Sequence, residues 1–147
     1  MSVEQKDTYF VAVKVFLEKD GKLLILRDKF GDWDLPGGRI RKDEFTVSLD
    51  EVIKRKMLEE LGDEIQYEIG EAKVFMRHQR VEQVPGLPTV RIFALGYAGV
   101  LKSGIIHLSD LHIEMLWVSI DTFDPAKYFE GGWLTGVEEY LKVRRNR

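Results

Sequence analysis

The sequence predicts an α+β fold, an α-β-α sandwich in which a mixed β-sheet lies between helices. Three observations predict it. Segments rich in β-branched and aromatic residues, some alternating, recur at strand length along the chain. Only two segments carry a helical apolar period, one central and one C-terminal. The 147 residues, 44% hydrophobic and 32% charged, have the size and composition of one soluble domain with one core. A single domain over 1–147 is therefore expected.

The first strand is read at 8–17, TYFVAVKVFL. Asp20-Gly21 supplies a hairpin turn, and KLLILRD at 22–28 pairs back. Phe30-Gly31-Asp32 is a loop, and Trp33-Asp34-Leu35 a short extended piece ending at Pro36. Gly37-Gly38 forces a turn. Arg39 and Ile40 form a short strand before the polar connector 41–46. Ser48 is a helix N-cap, and Glu51 completes a capping box. Leu49, Ile53, Met57 and Leu61 recur every four residues, flanked by Val52 and Leu58, and Gly62 stops the helix. Strands follow at 71–80 and 89–100, joined by a loop at 81–88 holding Pro85, Gly86 and Pro88. The second strand is the most apolar and is expected to be central. A short extended piece at 105–108, a strand at 114–120 and one helical turn around Pro125 come next. The last helix, 133–145, turns Leu134, Val137, Tyr140 and Leu141 inward.

Composition narrows the function. The formal net charge is -3, so there is no clear nucleic-acid site, and a polyanionic ligand needs a local cation or a metal. The basic tail 142–147 reads as a solvated helix end favoured by the helix dipole. Cysteine is absent, which excludes disulfides, thiolate metal sites and a cysteine nucleophile, and suits a cytoplasmic protein. The polar start MSVEQKD has no signal core. No apolar run approaches the ~18 residues of a membrane span.

The informative stretch is 33–62, WDLPGGRIRKDEFTVSLDEVIKRKMLEELG. A glycine loop lets backbone approach phosphate, and carboxylates on a neighbouring helix turn hold hard cations. Glu59 and Glu60 lie at a helix C-terminus, where acids oppose the dipole. That local cost points to a role. Arg55, four residues before Glu59, is spaced to pair with it. Positions 56, 59 and 60 fall within about one turn. They are expected on an edge opposite the Ile53, Met57 and Leu61 face.

This stretch resembles a Nudix box, G-x5-E-x7-R-E-U-x-E-E-x-G-U, where U is a bulky apolar residue. Gly38 and Glu44 match its opening. Arg55, Met57, Glu59, Glu60 and Gly62 match its close. The lead-in Trp33-Asp34-Leu35-Pro36-Gly37-Gly38 and the late strand Glu114 to Ser119 are also similar to the family's. The resemblance implies the Nudix fold. It also implies hydrolysis of a nucleoside diphosphate linked to another moiety, with Mg²⁺ or Mn²⁺. On that resemblance Glu59, Glu60, Arg55 and Glu114 are the catalytic candidates. Glu59, Glu60, the Gly38 carbonyl and Glu44 are the metal-site candidates. Gly37, Gly38, Arg39 and Trp33 are expected at the substrate. The partner implied is a nucleoside diphosphate derivative or another phosphorylated small molecule, and a homodimer is open.

Three positions depart from the box. Ten residues separate Glu44 from Arg55 where the family has seven, read as an insertion of Phe45-Thr46-Val47. Loop closure makes that inexpensive. Asp63 replaces an apolar residue at the helix end. Lys56 stands where the family has a metal-binding Glu. Three consequences are open for it. The site works with fewer ions, with Glu114, Glu51, Asp110 or Glu82 as substitute acid. Or the ammonium pairs with Glu59 or Glu60, occupies the vacated cation site and leaves a phosphate-binding sensor with little turnover. Or Lys56 points to solvent. The family's substrate tags are not visible. Trp33, Phe30, Tyr97 and the 81–88 loop are placed by analogy where a base or sugar stacks, although each also suits core or loop packing. His78, His107 and His112 have no metal-ligand spacing. His112 reads as a surface residue, or as a ligand partner of Glu114.

Overall fold

β1 (Phe10–Lys19) and β2 (Lys22–Asp28) form the expected hairpin. In this computed structural model residues 3–82, 86 and 88–146 are described. The turn puts Asp20 and Gly21 at positive φ, 51° and 75°. An Asp-Gly pair tolerates that conformation best. Past the turn the two strands diverge. They pair only at Glu18↔Leu23 and Lys19↔Lys22. The chain itself fills the gap. β3 (Trp33–Asp34) pairs with the far end of β2, and β4 (Gly37–Arg39) pairs with β1 at Ala12, Val13 and Lys14. The Pro36 carbonyl also accepts from Val15 N–H at 2.8 Å.

The rest of the sheet grows from this pair. β5 (Ile65–Val81) and β6 (Thr89–Gly104) make a long antiparallel hairpin, and β6 runs parallel to β1. β7 (His112–Ser119) pairs with β2. The sheet order is β3-β2-β1-β6-β5, with β4 on β1 and β7 on β2. β6 is therefore interior, as its composition predicts. The loop expected at 81–88 lies partly outside the described residues, at 83–85 and 87.

Two helices cover the two faces, giving the mixed sheet between helices that the sequence predicts. α1 (Leu49–Leu61) packs Val52, Ile53, Met57 and Leu61 against Val13, Val15, Leu17, Leu24 and Leu26. α2 (Gly131–Arg145) packs Trp133, Val137, Tyr140 and Leu141 against Phe16, Ile25, Val74, Met76 and Ile92. Alternate residues of β1 and β2 feed opposite cores, so both strands read as continuous apolar runs. A side chain on Gly132 of α2 would run into the Arg77 carbonyl, so the helix start sits directly on β5.

Several expectations need correction. Leu49 and Leu58 are exposed, because the α1 face turns through Val52, Met57 and Glu60 instead. Ser48 Oγ accepts from Glu51 N–H at 3.2 Å, but the Glu51 carboxylate turns to Lys54 at 3.3 Å, so only half a capping box forms. Residues 105–108 are not a strand; backbone bonds from Ile105 and His107 tie them to Glu64 and Leu61. The basic tail is not simply solvated. Arg144 grips Glu18 through Nε and Nη2, both at 2.7 Å, and Arg145 donates to the Ile120 and Phe123 carbonyls. Phe45, inside the lengthened connector, is 92% exposed, as an inserted loop residue should be.

Candidate functional site

The site forms where β3 and β4 wedge between β1 and β2, because that wedge faces α1 on one side and α2 on the other. Gly37 makes the crossing possible. Its φ is 133°, and a Cβ there would strike the Val13 carbonyl and come within 2.8 Å of Lys14 Cα. Only glycine suits such a position.

On the α1 side Arg55 is the hub. Its Nε and Nη2 take the two Glu44 oxygens, each at 2.6 Å, and its Nη1 reaches Glu59 at 3.1 and 3.3 Å. Nη2 also donates to the Arg39 carbonyl at 3.4 Å, so the hub ties helix to β4. Glu44, on a 3₁₀ turn at Lys42–Glu44, also accepts from Arg41 N–H at 2.8 Å. The Arg55 guanidinium holds its carboxyl down at about 2. Both Glu44 oxygens are thus engaged, and Glu44 braces Arg55. Partial burial raises the Glu59 carboxyl, but Arg55 and Lys56 outweigh that and leave it below its ordinary value.

Glu60 is not on the outer edge. It is 6% exposed and turned under the helix, where it accepts from Gly37 N–H at 2.6 Å. Burial pushes its carboxyl up to about 7, against the pull of Lys14, the Gly37 N–H and Lys56. His112 Nε2 lies 3.5 Å from Glu60. The surface reading of His112 is therefore overturned; β7 brings it in from the far side of β2, and burial lowers its pKa. Lys56 Nζ lies 3.5 Å from Glu59, and its stem lies across Gly38.

The other expected residues have separate partners. Glu114, 42% exposed, pairs with Arg27 at 3.6 Å. Arg39 is chelated by Glu82 at 2.6 and 3.0 Å and lies over the Phe10 ring. Glu51 pairs with Lys54. Of the proposed substitute acids, Glu114, Glu51 and Glu82 are thus each paired to another cation rather than joined to Glu59 and Glu60. Among the described residues no three Asp, Glu or His side chains gather as a metal-holding group. What remains is an all-oxygen pair, Glu59 and Glu60, beside the Gly37-Gly38 backbone. That donor chemistry fits a hard divalent ion.

On the α2 side lies a cleft of about 810 Å³. Trp33, Asp34, His78, Arg80, Tyr128 and Trp133 are among its walls. Trp33 and Tyr128 meet edge to face with centroids 5.3 Å apart, while His78 stacks on Trp133 at 4.5 Å. His78 Nδ1 accepts from Gly132 N–H at 3.1 Å, and burial lowers its pKa. Against Trp133 and Asp34 of these walls lies Lys14, 4% exposed, which donates to Asp34 at 2.9 Å and to the Leu35 carbonyl at 3.4 Å. Sequence reasoning missed Lys14. A lysine inside the apolar run FVAVKVFL was the available signal, since unpaired ammonium is not buried. Tyr97 belongs to the α1-side core, and Phe30 is exposed beside Lys29, so of the three expected aromatics only Trp33 lines the cleft.

A glycine wedge, adjacent helix acids and an aromatic cleft thus lie together on one mixed sheet. The NUDIX domain family matches residues 8–134, most of the chain, and the chain belongs to the Nudix hydrolase family. No curated protein matches it significantly in sequence. Solved structures share the fold. An ADP-ribose pyrophosphatase from Streptococcus suis 89-1591 superposes with TM-score 0.66 at 16% identity, covering 94% of this chain and 93% of its own. The MutT protein from Methanosarcina mazei Go1 gives TM-score 0.68 at 22% identity, covering 98% and 100%. The E. coli dihydroneopterin triphosphate pyrophosphohydrolase gives 0.67 at 13% identity, covering 93% and 99%. No helix among the described residues is long and apolar enough to cross a membrane.

Proposed function

We propose that residues 1–147 act as one Nudix domain, a cytoplasmic pyrophosphohydrolase that cleaves a nucleoside diphosphate linked to another moiety. The observation that carries this reading is the Glu59-Glu60 pair held against the Gly37-Gly38 wedge, next to the aromatic cleft. Glu59 and Glu60, with the Gly38 carbonyl, are the groups that would hold one Mg²⁺ or Mn²⁺. When bound, such an ion screens phosphate charge and acidifies its water. Arg55 is a positioning residue: it fixes Glu59 and is itself braced by Glu44. Trp33 and Tyr128 would take the base, and the Gly37-Gly38 backbone would border the diphosphate. Arg39 would serve the ligand only after leaving Glu82. Glu114 would join only after leaving Arg27.

The solved neighbours named as pyrophosphatases support the reaction class. The cysteine-free composition supports the compartment. Lys56 beside Glu59 favours a second reading, a sensor that binds a phosphorylated metabolite without turnover. A panel of ADP-ribose, sugar nucleotides, dinucleoside polyphosphates and nucleoside triphosphates separates the two. With Mg²⁺ or Mn²⁺ the wild type should cleave at least one of them, and Glu60→Gln should cleave it about 100-fold more slowly. An inert wild type with tight calorimetric nucleotide binding sinks the enzyme. Light scattering on the same preparation reads monomer against homodimer.

A further inference from the structure

Among the described residues four cations stand at the glycine wedge, and three are each held by two or more hydrogen bonds. Arg55 is divided between Glu44 and Glu59. Arg39 is chelated by Glu82. Lys14 is buried on Asp34 and the Leu35 carbonyl. Lys56 differs. Its one ion-pair partner among the described residues is Glu59 at 3.5 Å, longer than a tight charge-assisted bond. The ammonium therefore keeps donors for something else.

Its position is fixed all the same. The side chain is only 17% exposed and lies along Gly38, where an added Cβ would come 2.7 Å from Nζ and 3.3 Å from Cδ. The missing side chain at Gly38 is thus the slot for the lysine stem. A loosely paired charge in a fixed slot, beside backbone free of side chains, suits an incoming anion.

We propose that the Lys56 ammonium is a tethered cation that binds the ligand's diphosphate directly over Gly38, in place of one divalent ion. This rests on the phosphate-site reading above and deepens it. The chain then holds a diphosphate without added metal, and any metal need is confined to turnover.

The test uses inorganic pyrophosphate and isothermal titration calorimetry in EDTA. Wild type should bind. Lys56→Gln and the apolar Lys56→Met should each weaken binding about 10–100-fold, the worth of a hydrogen bond to a charged group. Lys54→Gln, an exposed lysine on the same helix paired only to Glu51, should leave it unchanged. Circular dichroism melts confirm that each variant is folded. Lys56→Glu should abolish metal-free binding and gain an additional Mn²⁺, counted by electron paramagnetic resonance without ligand. Wild type that fails to bind pyrophosphate in EDTA overturns the role, as do folded Lys56 variants that bind like wild type. The two readings fail separately. Mg²⁺-supported hydrolysis without metal-free binding removes only the role of Lys56. Metal-free binding through Lys56 with no turnover on the panel removes only the hydrolase.

Discussion

The two sides of the glycine wedge are built differently. The α1 side is made mostly within one local stretch, from Gly37 to Glu60, with His112 added from β7, and its contacts are mainly ionic. The α2 side draws its walls from β3, the end of β5, the turn near Pro125 and the start of α2, and its contacts are mostly aromatic. The first side can change its chemistry by single substitutions on a stable helix, as Lys56 illustrates. The second cannot change without disturbing the core, because Trp133 belongs to both cleft and core. Ion pairs on one side, aromatic walls on the other, is the division this implies.

That division predicts effects of different kind. The largest is on the α2 side. Trp133→Ala should cost about 3–5 kcal/mol in urea unfolding, since it also removes the surface under His78 and Lys14. A loss below 1 kcal/mol would mean that this wall is not structural. Next, on the α1 side, Glu60→Gln should lower turnover about 100-fold with the unfolding midpoint nearly unchanged, because the amide oxygen still accepts from Gly37 N–H. Parallel loss of fold and activity would erase the contrast. Third, Trp33→Ala should raise KM about fivefold, from a lost stacking contact of ~1 kcal/mol, and leave kcat nearly alone. An equal fall in kcat would place Trp33 with the chemistry.

The smallest effect is a pH dependence. His78 titrates below its ordinary 6.5 in the folded chain, because burial disfavours its charged form. As pH falls through 6.5 the unfolded chain therefore takes up the proton first, and stability falls with it. Denaturation at pH 7.5 and 5 should show wild type losing more stability than His78→Asn. Identical slopes would remove His78 as the source.

Most of the fold was legible in the sequence, and the reason is periodicity. β2 and α1 emerge with the expected bounds because each has a clean turn or cap at its ends, Asp20-Gly21, Ser48 and Gly62. β5 and β6 run longer than expected because pairing continues past their apolar parts, through Gln66↔Ser103 and Ile65↔Gly104. Partners of charged residues were less legible. Glu59 with Arg55 follows from a four-residue spacing. Glu60 with Gly37, His112 with Glu60 and Lys14 with Asp34 cross from one element to another. No local spacing encodes these pairs; they arise because β1 and β2 diverge. The same divergence explains why Glu60 is buried, where helical counting alone expected it outside.

The clamp of Arg144 on Glu18, with Tyr140 donating to the same carboxylate, has a consequence in time. It joins β1 to the last helix, and that helix brings the Trp133 wall. During synthesis β1, β2, the glycine wedge and α1 all emerge well before it. The aromatic wall at Trp133 therefore waits for that helix. The cleft is complete only when the C-terminal end of the chain has docked on its beginning, so its closing is the last step of building the fold.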